Sequence, residues 1–106
     1  MPDLDQLLTA ISHHARRAIL ARLKRGPARV TEIAAPFNLS LNAVSKHLKV
    51  LEEAGLITRE VVGREHYIEF RGAPLREVSQ WVRHYERFWT RELDKLEHYF
   101  KAKRKK

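Results

Sequence analysis

The chain is 106 residues long, carries a formal net charge of +8 and contains no cysteine. That length supports one core of modest size, and the lack of thiols excludes disulfides and thiolate metal sites. A pI near 10.2 favours a polyanionic partner such as nucleic acid, although the tail Lys101 to Lys106 holds five of the positive charges and leaves +3 for the rest. Such a tail fits a solvated end as well as a set of phosphate contacts. The apolar stretches are too short to span a bilayer, and Met1-Pro2-Asp3-Leu4 lacks the basic and apolar regions of a secretory signal. A cytoplasmic location is therefore expected.

Leu4, Leu7, Leu8 and Ile11 recur at helical spacing and predict an amphipathic helix from near Asp3, with Ser12 ending it or capping the next. Ala15, Ile19, Leu20 and Leu23 predict a second helix over 13–25, stopped by Gly26-Pro27. Thr31 reads as the N-cap of a short third helix that ends at Pro36. Ser40 caps a fourth over 41–54, with Leu41, Val44, Leu48 and Leu51 facing inward and Gly55 as its stop. Residues 56–62 and 65–71 are rich in Val, Ile, Tyr and Phe and flank Gly63-Arg64, the pattern of a β-hairpin.

The last stretch places Leu75, Val78, Val82, Tyr85, Trp89, Leu93, Leu96 and Phe100 three and four apart, one helix of roughly 40 Å whose apolar face is widened by Trp81, Phe88 and Tyr99. So long and aromatic a helix overhangs a domain of this size and calls for a second copy to cover it. Two short helices joined by a tight turn, the second with a polar outer face, form a helix-turn-helix, and the following hairpin makes it winged. The expected fold is mainly α (α+β): about five helices, one β-hairpin wing and a long C-terminal dimerisation helix. Residues 1–100 are expected to form a DNA-binding and dimerisation domain, and 101–106 a basic tail.

The segment Asn38-Leu39-Ser40-Leu41-Asn42-Ala43-Val44-Ser45-Lys46-His47-Leu48-Lys49-Val50-Leu51-Glu52-Glu53-Ala54-Gly55-Leu56-Ile57 resembles the ArsR family of bacterial regulators. Arg16 to Leu20, the wing Gly63 to Tyr67 and the stretch Phe88 to Leu93 extend the resemblance over nearly the whole chain. It implies a homodimer held by the first and last helices, with Leu4, Leu7, Leu8, Ile11, Trp81, Val82, Tyr85, Phe88, Trp89, Leu93 and Leu96 at the interface. It also implies a recognition helix in the major groove of a near-palindromic operator, and repression relieved by a small effector. The sequence departs from the family at His13-His14-Ala15, where an Asp-Pro-Thr-like entry to the second helix is usual, and a local change in that helix start is expected.

Asn42, Ser45, Lys46 and Lys49 share the outer side of the recognition helix, where Asn suits adenine and Lys suits guanine edges. Ala43 lies among them. Ser40 and the first amides of the helix can hold a phosphate oxygen or serve only as a cap. His47 lies beside the inward stripe and fits a buttress as well as a DNA contact. Arg64, on the wing tip, can reach the minor groove or a phosphate. Arg16 and Arg17 can meet the DNA backbone or pair with Glu52 or Glu53. In a twofold dimer the recognition helices stand about 34 Å apart, so double-stranded DNA with an inverted repeat is the expected partner.

The rival readings are weaker. Six histidines raise the question of a metal sensor. The four positions that would resemble the family's C-terminal zinc site hold Val82, His84, Lys95 and His98, and Val82 cannot ligate. Ile33-Ala34-Ala35 occupies the stretch where arsenic- and lead-responsive relatives resemble Cys-x-Cys. His13-His14 could still join His66 or a partner subunit at an unrelated site. Trp81, Tyr85, Phe88 and Trp89 could line an effector pocket, though dimer packing explains them more simply. No Gly-rich phosphate loop, cysteine nucleophile or convincing carboxylate pair is present, so no catalytic residue, cofactor or metal is expected. A winged-helix module for protein or RNA remains the third class.

Overall fold

Asp3 accepts a hydrogen bond from the Gln6 amide at 2.8 Å, while the Gln6 side chain accepts from the Asp3 amide at 3.1 Å. This reciprocal cap satisfies two donors that a helix start leaves unpaired. It opens α1 (Leu4–Ile11) in the computed structural model, which describes residues 3–104. There follow α2 (His14–Leu23), β1 (Ala28–Arg29), α3 (Val30–Ala34), α4 (Leu41–Glu53), β2 (Ile57–Val62), β3 (Glu65–Phe70) and α5 (Leu75–Arg104). Residues up to Arg76 form one compact unit and those from Glu77 a second.

In the first unit the four short helices pack with a three-stranded antiparallel sheet of order β1-β3-β2. Leu7, Ile19, Ile33, Val44, Leu48, Leu51, Leu56 and Ile68 are its largest fully buried side chains. Each helix thus buries one apolar stripe against the others, which is the main stabilising term for helices too short to persist alone. Leu7 belongs to this core, whereas Leu4, Leu8 and Ile11 stay partly open.

Several sequence expectations are corrected. Thr31 does not cap α3: the helix starts two residues earlier than that cap implies, at Val30 behind Arg29, whose amide donates to Glu32 Oε1 at 3.3 Å. Ala28 and Arg29 form β1, paired to Ile68 and Tyr67, a strand that local pattern did not predict. Leu41 is not part of the inward stripe of α4; at the first turn it is 54% exposed. Ser12 ends α1 and His13 caps α2, its Nδ1 accepting from the Ala15 amide at 3.1 Å.

α4 ends as Gly55 predicts. Gly55 has φ 73°, its amide donates to the Glu52 carbonyl at 3.0 Å, and the Leu56 amide donates to the Leu51 carbonyl at 3.0 Å. This paired return satisfies the orphan carbonyls and turns the chain into β2 with Leu51 and Leu56 both buried.

Among the described residues the second unit consists of α5 from Glu77 onward. α5 has 30 residues, about 45 Å at 1.5 Å each, and none of its residues is buried. Its helix continues through Lys101 to Arg104, while Lys105 and Lys106 of the basic tail lie outside the described residues. No helix among the described residues is long and apolar enough to cross a membrane.

Candidate nucleic-acid interface

Two features place α4. Ser40 Oγ accepts from the Ala43 amide at 3.1 Å, which fixes the first turn. Val44, Leu48 and Leu51 are fully buried, which fixes its rotation about its axis. Asn42, Ser45, Lys46 and Lys49 are consequently left exposed on the opposite side, and Ala43 is half-buried. The helix thus presents donors and one amide outward from a rigid apolar anchor, the arrangement that groove reading needs.

The joint between α2 and α4 is built from cations and imidazoles. Arg16 Nε donates to the Ala10 carbonyl at 2.7 Å and its Nη2 to the Thr9 carbonyl at 2.9 Å. Arg17 Nη1 donates to the Ile11 carbonyl at 2.7 Å. These carbonyls lie in the last turn of α1, where a helix has few backbone donors left to offer and its dipole favours positive charge; that of Thr9 also accepts from Ser12. Both arginines therefore fasten α1 to α2, and neither pairs with Glu52 or Glu53. Arg16 Nη1 also meets His47 Nδ1 at 3.2 Å, a contact that joins α2 to α4.

The His13 ring stacks on His14 at 4.8 Å and lies 4.7 Å from His47. His13 and His47 each turn Nδ1 toward an obligate donor, the Ala15 amide and the Arg16 guanidinium. Both imidazoles must then be neutral with the proton on Nε2. Partial burial lowers the pKa of each; the charges of His14, Arg16 and Arg17 add to this at His13, and those of His13, Arg16 and His14 at His47. The unusual His13-His14 entry to α2 thus serves as cap and packing. Among the described residues no group of three or more His, Cys, Asp or Glu side chains could hold a metal ion.

A pH dependence follows. The unfolded chain binds protons at the ordinary imidazole value of 6.5, whereas folded His13 and His47 resist them. Stability is therefore full above pH 6.5 and is lost as pH falls through the lowered folded values. Thermal melts should move down between pH 7.5 and 5.5. A His13→Asn, His47→Gln double variant, which keeps an acceptor at each place, should flatten that trend. A wild-type melting temperature that stays level or rises on acidification contradicts the assignment of neutral imidazoles.

The wing turns at Gly63-Arg64, between the paired residues Val62 and Glu65. Gly63 has φ 64° and Arg64 is not in a positive-φ conformation, the form in which glycine is needed only at the first central position of a two-residue hairpin. Arg64 is exposed at this tip. The wing is tied back to α3 by charge. Arg29 Nε donates to Glu32 Oε1 at 2.6 Å and its Nη1 to Glu65 Oε1 at 3.1 Å, while Tyr67 Oη donates to Glu65 Oε2 at 2.9 Å. The hydrogen bond from Arg29 holds the Glu32 carboxyl below its usual range, and Glu65 raises the Tyr67 hydroxyl. Sequence reading missed this network because its bonded partners are up to 36 positions apart.

The comparisons with known proteins agree with this geometry. A family described as a helix-turn-helix domain matches residues 11–60. The chain is 36% identical over 89 residues to the HTH-type transcriptional regulator Rv2034 of Mycobacterium tuberculosis, covering 84% of this chain and 80% of that protein. It is 32% identical over 79 residues to the transcriptional repressor SdpR of Bacillus subtilis, covering 74% and 88%. Among solved structures it is similar to the ArsR family transcriptional regulator RHA00566, with a TM-score of 0.77 and 33% identity over 85% of this chain and 97% of that one. Regulators of this kind act by binding DNA and are not enzymes. The chain belongs to the ArsR family of winged helix-turn-helix, DNA-binding transcriptional regulators.

Proposed function

We propose that the protein is a cytoplasmic homodimeric repressor of an operator with inverted-repeat symmetry. The observation that carries this reading is the outer face of α4, where Asn42, Ser45, Lys46 and Lys49 stand exposed above a fully buried stripe. Asn42 and Lys46 read base edges in the major groove, Lys49 and Ser45 contact the backbone, and Ser40 holds a phosphate at the helix start. Arg64 reaches the adjacent minor groove or its phosphates. The bare apolar face of α5, with the open residues of α1, supports pairing with a second copy. The repressor role is supported by the similarity to SdpR. Residues 1–100 supply DNA binding and pairing, and the basic residues 101–106 add long-range attraction.

Selection of bound duplexes from a random DNA pool is the direct test. Enrichment of two half-sites about one helical turn apart is expected; failure to enrich any duplex would sink the reading and favour a protein or RNA partner. On the selected operator, Lys46→Ala should weaken binding by about 1–3 kcal/mol and relax preference at one position of each half-site. Equal weakening on all duplexes would move Lys46 to the backbone, and unchanged affinity would remove it from the interface.

A further inference from the structure

A cleft of about 360 Å³ opens between the wing and the helix-turn-helix, bounded by Thr31 of α3, Ser45 of α4 and Arg59, Arg64 and His66 of the wing. Arg29 and Glu65 also line it, but they are occupied with each other at 3.1 Å. Glu65 is the only carboxylate on the wall, and both its oxygens already accept hydrogen bonds, from Arg29 and Tyr67. Arg59 Nη1 meets His66 Nδ1 at 3.2 Å. Because guanidinium can only donate, His66 carries its proton on Nε2 and is itself a donor there. Arg64 makes no ion pair among the described residues. What the cleft has to offer a ligand is therefore almost entirely donors: two guanidinium groups, an imidazole N–H and two hydroxyls.

A group that only accepts hydrogen bonds and carries negative charge matches this wall, and phosphate is such a group. We propose that the cleft is a phosphate site that seats one backbone phosphodiester of the bound DNA, with Arg59 and Arg64 as its principal ligands. The assignment rests on the DNA-binding reading and extends it to residues inside the wing. Its position favours the duplex as the source of the phosphate. Ser45 stands on the outer face of α4 and Arg64 on the wing tip, so a strand running from recognition helix to wing crosses between them.

Glu52 acts as a stand-in for that phosphate. Its Oε2 lies 3.6 Å from Arg59 Nε, and both side chains are partly open to solvent. An ion pair of that length and exposure is weak, so a phosphodiester can replace it. Glu52 thus lowers DNA affinity by occupying Arg59 when the cleft is empty.

The test compares duplex affinity and its salt dependence for wild type, Arg59→Gln, Arg59→Lys, Arg64→Gln, Glu52→Gln and the Glu52→Gln, Arg59→Gln double variant, each checked by thermal melting. Operator and unrelated duplex are measured side by side. Arg59→Gln is expected to weaken both by a similar factor of about tenfold and to reduce the slope of log K against log salt by about 0.9. Arg64→Gln should act likewise, and Arg59→Lys should keep the slope. Glu52→Gln should tighten binding, and the gain should vanish when Arg59 is also replaced. An unchanged slope in Arg59→Gln, or a Glu52→Gln gain that survives the loss of Arg59, overturns the site while leaving duplex binding intact. Wild type that binds no duplex refutes the broader reading instead. At equal ionic strength inorganic phosphate should compete with the duplex more strongly than chloride, and Arg59→Gln should abolish the difference. Phosphate binding that depends on Arg59 while duplex affinity and salt slope do not would assign the cleft to a free anion and overturn the backbone assignment.

Discussion

Replacing Trp89 and Leu93 together by glutamate is expected to convert the protein to a monomer and to lower operator affinity by about 10²–10⁴-fold. These side chains are 59% and 60% exposed, and Tyr85, Phe88 and Leu96 on the same helix are about as open. Apolar patches of this extent are rare on the free surface of a monomer. Two half-sites bound by linked copies gain an effective concentration that separate copies lack, which sets the size of the loss. Sedimentation and a duplex titration read the two effects. The thermal unfolding of the first unit should be little changed, because neither residue belongs to its core. A double variant that keeps the wild-type mass in solution would exclude α5 as the pairing surface.

The second large effect is expected inside the DNA-binding unit. Leu48 is 0% exposed, and Leu48→Ala should cost about 2–5 kcal/mol through lost apolar contact and the cavity left behind. That is a large share of the stability of a small domain, about 5–15 kcal/mol. Leu41→Ala, on the same helix but 54% exposed, should change stability by no more than about 0.5 kcal/mol. Urea unfolding of the two variants separates them. Comparable losses would mean that α4 is not anchored by the stripe Val44, Leu48 and Leu51.

Local chemistry explains what could be read in advance. Ser40 and Gly55 bound α4 because a cap and a left-handed stop act over three or four residues, and Gly63 marks the hairpin for the same reason. The exposed set Asn42, Ser45, Lys46 and Lys49 follows from helical spacing alone. β1 could not be read this way, since Ala28 pairs with Ile68 some forty positions later and two residues carry no period. Leu41 fits the apolar spacing, yet it lies on the first turn, where the neighbouring elements do not reach. Spacing leaves Arg16 between the DNA backbone and Glu52 or Glu53, and its bonds to the Thr9 and Ala10 carbonyls depend on an approach of α1 to α2 that no local pattern shows. Arg59 was passed over because a cation in a strand of alternating polarity looks like a solvated residue until His66 and Glu52 are brought beside it.

The unequal lengths of the strands have a mechanical consequence. β1 supports β3 only at Tyr67 and Ile68, so the base of the wing is a three-stranded sheet and its outer end a two-stranded ribbon. A ribbon of two strands is marginal on its own in water. Amide protons around Ile68 should therefore exchange slowly and those near Val62 and Glu65 quickly, a gradient within a few residues of one hairpin. The wing is graded in stiffness, and its tip can follow differences in groove width from one DNA sequence to another while its root keeps a constant bearing on the recognition helix.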